Sequence, residues 1–507
     1  RDGSWNIYRT DRTDPAEPAF FNATALKESV VVATPAEEFQ PAFSPDGKEV
    51  AYLEERTTLK VINLATGTTR TVLPGDLNYS YSDGDQWYEW SPDGRSFAVQ
   101  FLSPGRWSTE VGIIPASGQG ALVNISRSGY EDERPRWFGK GEILLWATDR
   151  HGARTHSGWG RESDVYAAFL TQKAWDRFRL DEAAFDQLRD REKEAEKAKA
   201  KDEKADKPED KTPKLAEPVA FELANLKDRT VRLSMHSADL AAAELTPDRE
   251  TLVYLASFEK GYDLWKYSPR SKEIKLVAKL DAKPPADMRL DKEGKKAFVL
   301  AGGRMMTVDL ESGKTSPVKV SAKMYLDAAA ERAYLFEHAW RQTLKKFYLE
   351  SMHGVDWAGM KNAYARFLPH IDNNQDFAEL ISELQGELNA SHTGGRFRPE
   401  RPDGDATAAL GFFPDPAHTG AGVRILEIVE GAPLQKAGTK IKSGTVIEAI
   451  DGQPIAAGAN WYPLLNQKAG VPVRLALSDP ATKARWEETV KPISWGEQGR
   501  LLYQRWV

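Results

Sequence analysis

The stretch PAFSPDGKEVAYL, at residues 41–53, decides the fold of the first part of the chain. An apolar segment leads into Ser-Pro-Asp-Gly, and a second segment with alternating apolar residues follows. Pro-Asp-Gly sequences favour tight turns because glycine adopts positive φ without steric cost, so the stretch predicts two antiparallel strands. The pattern returns as YEWSPDGRSFAVQ at residues 88–100, with Ser44 and Ser91 standing 47 positions apart.

Weaker copies of this unit begin at three further positions: PRWFGKGEILLWA at Pro135, AELTPDRETLVYL at Ala243 and MRLDKEGKKAFVL at Met288. A third strand and another turn follow each copy, as in LKVINLATGTTRTVL. Four short strands every 40 to 50 residues are typical of a propeller blade. The sequence therefore predicts a mainly β, multidomain protein whose residues 1–325 form a β-propeller. A β-sandwich is the alternative. The strand WNIYRT opens without an earlier partner, so we expect the propeller to be incomplete at its N-terminus.

The spacing of the repeats roughly doubles between Trp146 and Thr246, which predicts a charged insertion near residues 156–220. An aromatic helical stretch opens the insertion. From about residue 190 to 214, almost no apolar side chain is larger than alanine, so burial cannot offset the entropy of ordering. We expect a frayed helix or a disordered segment there.

Two different patterns follow the repeats. Residues 326–400 have helical periodicity and predict a small helical bundle, with Asn373 as a capping residue before the helix DFAELISELQGELNA. Residues 406–492 have the glycine placement of a PDZ domain, from VRILEIVEGAPLQKAG to IDGQPI. The stretch LGFF, Leu410, Gly411, Phe412 and Phe413, predicts the loop whose backbone N–H groups bind a peptide carboxylate.

Composition narrows the classes of function. A chain of 507 residues predicts about three domains. The net charge of -6 argues against a nucleic-acid partner, and the absence of cysteine excludes thiolate metal sites and cysteine nucleophiles. No apolar run reaches the roughly 20 residues that would predict a membrane span, and the first residues lack a signal-peptide core. We expect no cofactor and no metal: His338, His353 and His370 lack the spacing of a metal site.

The repeats, the segments LFEHAWRQTLKKFY and SELQGELNASHTGG, and the PDZ pattern together resemble the tricorn protease family. These proteins are serine peptidases related to the C-terminal processing proteases. The resemblance implies that His392 is a general base and that the adjacent Ser391 helps to organise a catalytic tetrad. It also implies that the nucleophilic serine and a glutamate come from an α/β half-domain after the PDZ domain. We therefore expect an internal segment that lacks the first propeller and that half-domain, with residues 493–507 as a linker.

A histidine base needs a nucleophile within hydrogen-bonding reach and a third group that fixes its tautomer. Ser382 lies on a predicted helix and Ser443 in a predicted PDZ turn, so neither is a good candidate nucleophile, and no G-x-S-x-G turn occurs. Without the resemblance, His392 reads as a loop histidine that caps the preceding helix. With it, we expect the parent protein to hydrolyse peptides or unfolded polypeptides, and this segment alone to be inactive.

Further expectations follow from the same resemblance. The alternative to an enzyme is a noncatalytic scaffold that binds peptides through the propeller and the PDZ domain. The resemblance implies a homo-oligomer, with a hexamer as the assembly expected of the family. The lysine- and glutamate-rich insertion suggests an exported, periplasmic protein, with a cytoplasmic location as the alternative.

Overall fold

The computed structural model describes residues 5–17, 19–103, 105–154, 162–203, 215–258, 261–284, 286–399 and 403–507, with only the backbone for 195–203. The chain divides into two compact units, one up to Lys345 and one from Lys346. No helix among these residues is both long enough and apolar enough to cross a membrane. The predicted domain boundaries at 325, 400 and 406 stay predictions, because the only boundary that the described residues define lies between Lys345 and Lys346.

The first unit consists of antiparallel sheets that follow one another along the chain, as predicted for propeller blades. A two-stranded sheet comes first: β1 (Ile7–Arg12) and β2 (Leu26–Val32). The four-stranded sheets are, in order, β3 (Glu38–Phe43), β4 (Glu49–Glu54), β5 (Thr58–Asn63) and β6 (Thr69–Leu73); β7 (Tyr88–Trp90), β8 (Ser96–Leu102), β9 (Thr109–Pro115) and β10 (Val123–Asn124); β11 (Asp132–Phe138), β12 (Ile143–Thr148), β13 (Asp164–Phe169) and β14 (Thr230–Arg232); β15 (Asp239–Leu245), β16 (Leu252–Ser257), β17 (Tyr262–Ser268) and β18 (Glu273–Ala282); β19 (Ala286–Leu290), β20 (Lys296–Ala301), β21 (Arg304–Asp309) and β22 (Thr315–Pro317). Within the described ranges β1 pairs with β2 alone.

The Ser-Pro-Asp-Gly turns are fixed by side-chain hydrogen bonds that recur in both copies. The Ser44 hydroxyl donates to Asp46 (2.7 Å) and accepts from the backbone N–H of Glu49 (2.9 Å). In the second copy Ser91 donates to Asp93 (2.6 Å) and accepts from the N–H of Ser96 (2.9 Å). The serine thus satisfies the backbone where the second strand begins, which explains why the motif marks the inner hairpin in these two sheets.

Neighbouring blades share apolar cores, and the inner strands are also joined by tryptophan hydrogen bonds. Phe39 of β3 packs in one cluster with Phe97 of β8, and similar clusters join each later pair of sheets. The indole N–H of Trp90 donates to the carbonyl of Ala42 (3.2 Å), and that of Trp137 to the carbonyl of Glu89 (3.2 Å). A single blade cannot bury both of its faces, so stability depends on these contacts.

The predicted insertion leaves the sheet β11–β14 between β13 and β14. Helix α1 (Gln172–Arg179) begins at Thr171, whose hydroxyl caps the N–H of Ala174, and helix α2 (Glu182–Glu203) follows. Trp175 stacks on Phe178, with ring centroids 5.8 Å apart. The predicted frayed or disordered segment falls partly on residues 204–214, which lie outside the described residues, as do residues 155–161 near the start of the insertion.

Helix α3 (Ala328–Lys346) packs against the propeller through ion pairs. Glu37, which is 1% exposed, accepts a hydrogen bond from Arg56 (2.7 Å). Arg341 and Lys345 of α3 bring their side-chain nitrogens within 3.2 and 3.6 Å of the same carboxylate. A carboxylate in the propeller therefore holds the C-terminal half of α3.

The second unit contains two helices followed by the PDZ sheet, in the order that the sequence predicts. Its elements are α4 (Trp357–Ala365), α5 (Asn374–Gly386), β23 (Phe412–Pro414), β24 (Val423–Ile428), β25 (Val446–Ile450), β26 (Gln453–Pro454), β27 (Val473–Ser478), β28 (Arg485–Val490) and α6 (Trp495–Trp506). Asn373 caps α5 by accepting the N–H groups of Gln375 and Asp376, as predicted. The strand order is β23-β24-β25-β27-β28, with β26 paired to β25. Residues 493–507, expected as a linker, contain α6, which begins with a capping box at Ser494.

Candidate functional site

The predicted Ser391–His392 pair lies on a short loop that begins where α5 ends. Apolar residues of α5, among them Leu380 and Leu384, are buried and fix the helix, and Leu388 just beyond it is fully buried. The backbone then turns through a positive φ of 47° at Asn389 and of 63° at His392. Such values strain a residue with a side chain, so the surrounding contacts must hold the loop in this conformation.

Hydrogen bonds fix the start of this loop to the rest of the second unit. His353 Nδ1 donates a hydrogen bond to the carbonyl oxygen of Leu388 (2.7 Å), and Nε2 of the same ring is hydrogen-bonded with the hydroxyl of Tyr348. The hydroxyl of Tyr364 donates to Glu387 (2.6 Å), and this bond raises the pKa of Tyr364 to about 12. His353 thus holds the start of the loop that carries Ser391 and His392.

The end of the loop is held by Ser382. Its hydroxyl donates to the carbonyl of Gly395 (2.8 Å) and accepts from the N–H of the same residue (2.9 Å). The hydroxyl of Ser443 likewise donates to the carbonyl of Leu426. Both serines that the sequence offered as alternative nucleophiles therefore have their hydroxyl protons committed to backbone carbonyls.

The side chains of Ser391 and His392 are exposed to solvent. Within the described residues, neither the imidazole of His392 nor the hydroxyl of Ser391 forms a hydrogen bond or an ion pair with a side chain. The structure thus places the predicted pair together on an anchored loop without bringing a nucleophile or a carboxylate to it. His392 is open to solvent, which is compatible with the base that the resemblance implies and gives no support to a helix-capping role.

The four residues of the predicted carboxylate-binding loop are divided between core and surface. Leu410 and Phe412 are buried, and Phe412 stacks on Trp461 with 5.6 Å between ring centroids. Gly411 has a φ of 75°, and a Cβ atom there would lie 2.3 Å from that of Ala432, so only glycine fits. Phe413 is partly exposed on the edge strand β23. Among the described strands β23 pairs with β24 alone, so its other side is open to an added strand, which is the geometry of strand addition.

Sequence reasoning did not identify a set of charged residues in the propeller. Glu89, Arg136, Glu244 and Arg289, which we call the charge arc, occupy the second position of successive repeat units and alternate in sign. Arg136 pairs with both Glu89 (3.6 Å) and Glu244, and Arg289 pairs with Glu244 (3.1 Å). Burial raises the pKa of Glu89 and of Glu244, against the opposing charge of Arg136. An alignment of the repeat units would have shown that the charge at this one position alternates in sign.

No group of three or more histidine or acidic residues in the part of the chain that the structure describes is arranged to hold a metal ion. The site must therefore be judged from its histidine, its serines and its backbone donors.

Comparisons with known proteins match separate parts of the chain. The family model described as the tricorn protease C1 domain matches residues 328–386, and that of the tricorn protease PDZ domain matches residues 426–494. Ser391 and His392 lie between these two matches.

Two curated relatives are named as tricorn proteases or their homologues. Tricorn protease homolog 1 of Streptomyces coelicolor is 26% identical over 232 residues, covering 42% of this chain and 22% of that protein. Tricorn protease of Thermoplasma acidophilum is 27% identical over 236 residues, covering 44% of this chain and 21% of that protein. The crystal structure of the tricorn protease has a TM-score of 0.59 at 16% identity, covering 92% of this chain and 45% of that one. The alignments thus cover about a fifth of the length of these curated relatives.

Proposed function

Because the chain belongs to the tricorn protease family, we propose that it is part of a serine endopeptidase that hydrolyses peptides or unfolded polypeptides. The observation that carries the proposal is the exposed loop with His392, which directly follows the helix where the C1 match ends. A base must be reachable by a nucleophile and substrate, and a solvent-exposed imidazole on an anchored loop meets that requirement.

In this proposal His392 takes the proton of a serine hydroxyl as that oxygen attacks the peptide carbonyl, and then returns it to the leaving amine. Ser391 helps to orient the array. The resemblance to the family implies that the nucleophilic serine and the glutamate are supplied by polypeptide outside these 507 residues. In keeping with this, the hydroxyls of Ser382 and Ser443 donate to backbone carbonyls. The anchors at Leu388 and Gly395 limit the positions that the imidazole samples, which contributes to catalysis by orientation.

The test uses the full-length protein that contains this chain and a fluorogenic unstructured peptide. His392→Ala is expected to lower kcat by at least about a thousandfold, as removal of a catalytic base does. His370→Ala is the matched control, because His370 is also exposed and lies in the same unit. Equal cleavage by His392→Ala and the parent protein would refute the role of His392.

A second experiment identifies the nucleophile. A fluorophosphonate reagent should label one serine of the full-length protein, and peptide mapping should place the label outside residues 1–507. The isolated chain should take up no label. Labelling of Ser382 or Ser443 would contradict the proposed division of the catalytic residues.

The free edge of β23 favours a second candidate function, a scaffold that binds peptides without hydrolysis. The two functions differ in one measurement. A scaffold would bind peptides with a free C-terminal carboxylate, lose them on amidation of that terminus, and leave them intact after long incubation.

Assembly and location are also proposals. We infer a homo-oligomer, in keeping with the hexamer that the family resemblance implies, which sedimentation of the full-length protein will test. We infer export to the periplasm from the charged insertion, which cell fractionation will test against the cytoplasmic alternative.

A further inference from the structure

A peptide that adds to the open side of β23 would lie between that strand and a short 3-10 helix, Tyr462–Leu465, which we call the groove helix. The strand and the groove helix are close together. Phe412 of β23 stacks on Trp461, with 5.6 Å between ring centroids, and the N–H of Ala408 donates to the carbonyl of Leu465 (2.9 Å). The PDZ groove thus has β23 as one wall, the groove helix as the other and the carboxylate-binding loop at its end.

Helix α6 contacts both walls of the PDZ groove. At its first residue, Trp495 packs on Tyr462 of the groove helix, with 6.3 Å between ring centroids. Near its end, Arg505 pairs with Glu427 of β24 (2.7 Å), and its guanidinium lies 5.7 Å from the ring centroid of Phe413 of β23. Phe413 and Glu427 are directly opposite each other in the β23–β24 pair. The length of α6 between these contacts is about 15 Å, so the helix extends from one wall to the other.

The middle of α6 packs beside the carboxylate-binding loop. Gln498 is buried and Leu501, one turn later, is half-buried. Leu501 lies against Gly431, where a Cβ atom would be 3.4 Å from Leu501 Cδ2. Gly431 follows Val429, whose N–H donates to the carbonyl of Gly411 in the carboxylate-binding loop (3.0 Å). Helix α6 therefore passes the end of the PDZ groove at which a peptide carboxylate would bind.

Aromatic rings connect α6 to the interior of the PDZ groove. Tyr462 stacks on Trp461 with 4.3 Å between ring centroids, so Phe412, Trp461, Tyr462 and Trp495 form a continuous series of ring contacts. Trp461 also packs against the buried core of the PDZ domain. The apolar space between strand and groove helix is thus filled by side chains of the protein itself, with which the last side chain of a peptide would compete.

We propose that α6 is a cover of the PDZ groove, which excludes peptide C-termini while it contacts Tyr462 and Phe413 and admits them when it moves away. The ion pair at the end of α6 is exposed, with 47% of the Arg505 side chain and 50% of the Glu427 side chain open to solvent. Exposed pairs contribute little free energy, so the cover opens readily. The inference rests on the peptide-binding function proposed for β23 and adds a regulation of it.

A cover and a supporting helix differ in the sign of their effect on binding. A cover lowers the apparent affinity of the groove in proportion to the fraction of molecules in which it is open. Weakening the contacts of α6 should therefore tighten peptide binding, whereas damage to a helix that supports the binding site should weaken it.

The probes are fluorescein-labelled decapeptides of one unstructured sequence that end in alanine, valine, leucine or phenylalanine, each with a free or an amidated C-terminus. Binding to this chain is measured by fluorescence anisotropy. Arg505→Glu, which places a carboxylate beside Glu427, should bind free-carboxylate peptides about tenfold more tightly than the parent chain. Trp495→Ala should act in the same direction. Arg500→Ala is the matched control, because Arg500 lies on the exposed side of α6, and it should leave the affinity unchanged.

A second substitution tests whether the ion pair itself holds the cover. Glu427→Arg in the Arg505→Glu background exchanges the two charges and restores the pair, so the affinity should return to that of the parent chain. Hydrogen–deuterium exchange provides a readout of the helix. The amides of α6 should exchange faster in the parent chain when it is saturated with peptide, and faster in Arg505→Glu without peptide.

Each outcome decides between the cover and another role for α6. Equal affinity of the parent chain and Arg505→Glu would overturn the cover and leave the PDZ groove as an open binding site. Weaker binding by Arg505→Glu would also overturn it, because Arg505 would then belong to the binding site. If neither the parent chain nor any variant binds a free-carboxylate peptide in preference to its amidated form, the cover and the peptide-binding function both fail. Cleavage by the full-length protein and its dependence on His392 are measured separately, so the peptidase proposal is tested independently.

Discussion

Replacement of Glu37 by glutamine is expected to destabilise the first unit, because this buried carboxylate joins α3 to the propeller. Its closest partner, Arg56, is 4% exposed and would keep only the partly exposed Asp83, 2.5 Å away. Arg341 and Lys345 would lose their common anion. Breaking a buried pair costs about 3–5 kcal/mol, and glutamine keeps the volume and an amide oxygen, so we expect a loss of about 3 kcal/mol. That corresponds to a fall in Tm of roughly 6 °C.

The assay is differential scanning calorimetry of the chain at neutral pH. Glu55→Gln is the matched control, since Glu55 also pairs with Lys345 (2.9 Å) but is 41% exposed on the side chain. Surface pairs contribute roughly 0–1 kcal/mol, so the control should shift Tm by no more than about 2 °C. If Glu37→Gln and Glu55→Gln lower Tm equally, the reasoning that burial makes Glu37 decisive is refuted.

The pKa of Glu37 gives this effect a pH dependence. Burial raises that pKa, but the hydrogen bond from Arg56 and the charges of Arg56, Lys345 and Arg341 outweigh burial and hold it below its ordinary value of 4.5. A carboxyl with a lowered pKa in the folded state contributes stability above the unfolded pKa and loses it as the pH falls through the folded pKa. The difference in Tm between the parent and Glu37→Gln should therefore be complete above a pH of about 4.5 and shrink in more acidic solution.

Three further substitutions test other contacts by urea denaturation. Gly411→Ala should lower the free energy of unfolding by about 3 kcal/mol, because the positive φ and a clash with Ala432 act together. Gly438→Ala is the control: Gly438 has the same φ of 75° but open space around it, so the loss should be about 1 kcal/mol. Equal losses in the two variants would contradict the clash. Asn373→Ala should remove the cap of α5 at a cost of about 1 kcal/mol, and no loss would show that the cap is dispensable. Arg136→Met should cost about 3 kcal/mol by leaving its two carboxylate partners partly buried without it, and a stabilised variant would reverse that argument.

The order of propeller, helical segment and PDZ domain could be predicted from the sequence because the relevant signals are local. The hydroxyl of Ser44 bonds within five residues of itself, so the motif around it specifies one hairpin wherever it occurs. The same holds for Asn373, whose amide oxygen caps the next residues of α5. Strand pairs, helix starts and the PDZ glycines could thus be predicted, and the structure contains them. The precise limits of the domains are not tested by the structure and stay predictions.

Contacts between distant parts of the chain could not be predicted in the same way. The carboxylate of Glu37 contacts side chains of α3 that lie about 300 residues later in the chain, and no pattern in the sequence indicates this contact. The hydrogen bond that joins His353 to Leu388 also depends on how the turn after α3 and the end of α5 pack together. His353, which the sequence analysis considered only to exclude a metal site, is therefore a structural support for the candidate site.

The role of His392 illustrates a different limit. Its exposure and positive φ follow from the loop, and both are visible in the structure. Proton transfer by His392 requires a nucleophile and an orienting carboxylate, and the described residues bring neither to the imidazole. The role of His392 as a general base therefore stays a prediction from the sequence.

The alternation of the charge arc restricts how such a propeller can evolve. Duplication of one blade within the charge arc would place two glutamates or two arginines side by side, and like charges in a partly buried position repel. Duplication of two adjacent blades would preserve the order of signs. Within this arc, gain or loss of blades should therefore proceed in pairs, and a single-blade change should be accompanied by a neutral residue such as the alanine found at position 42.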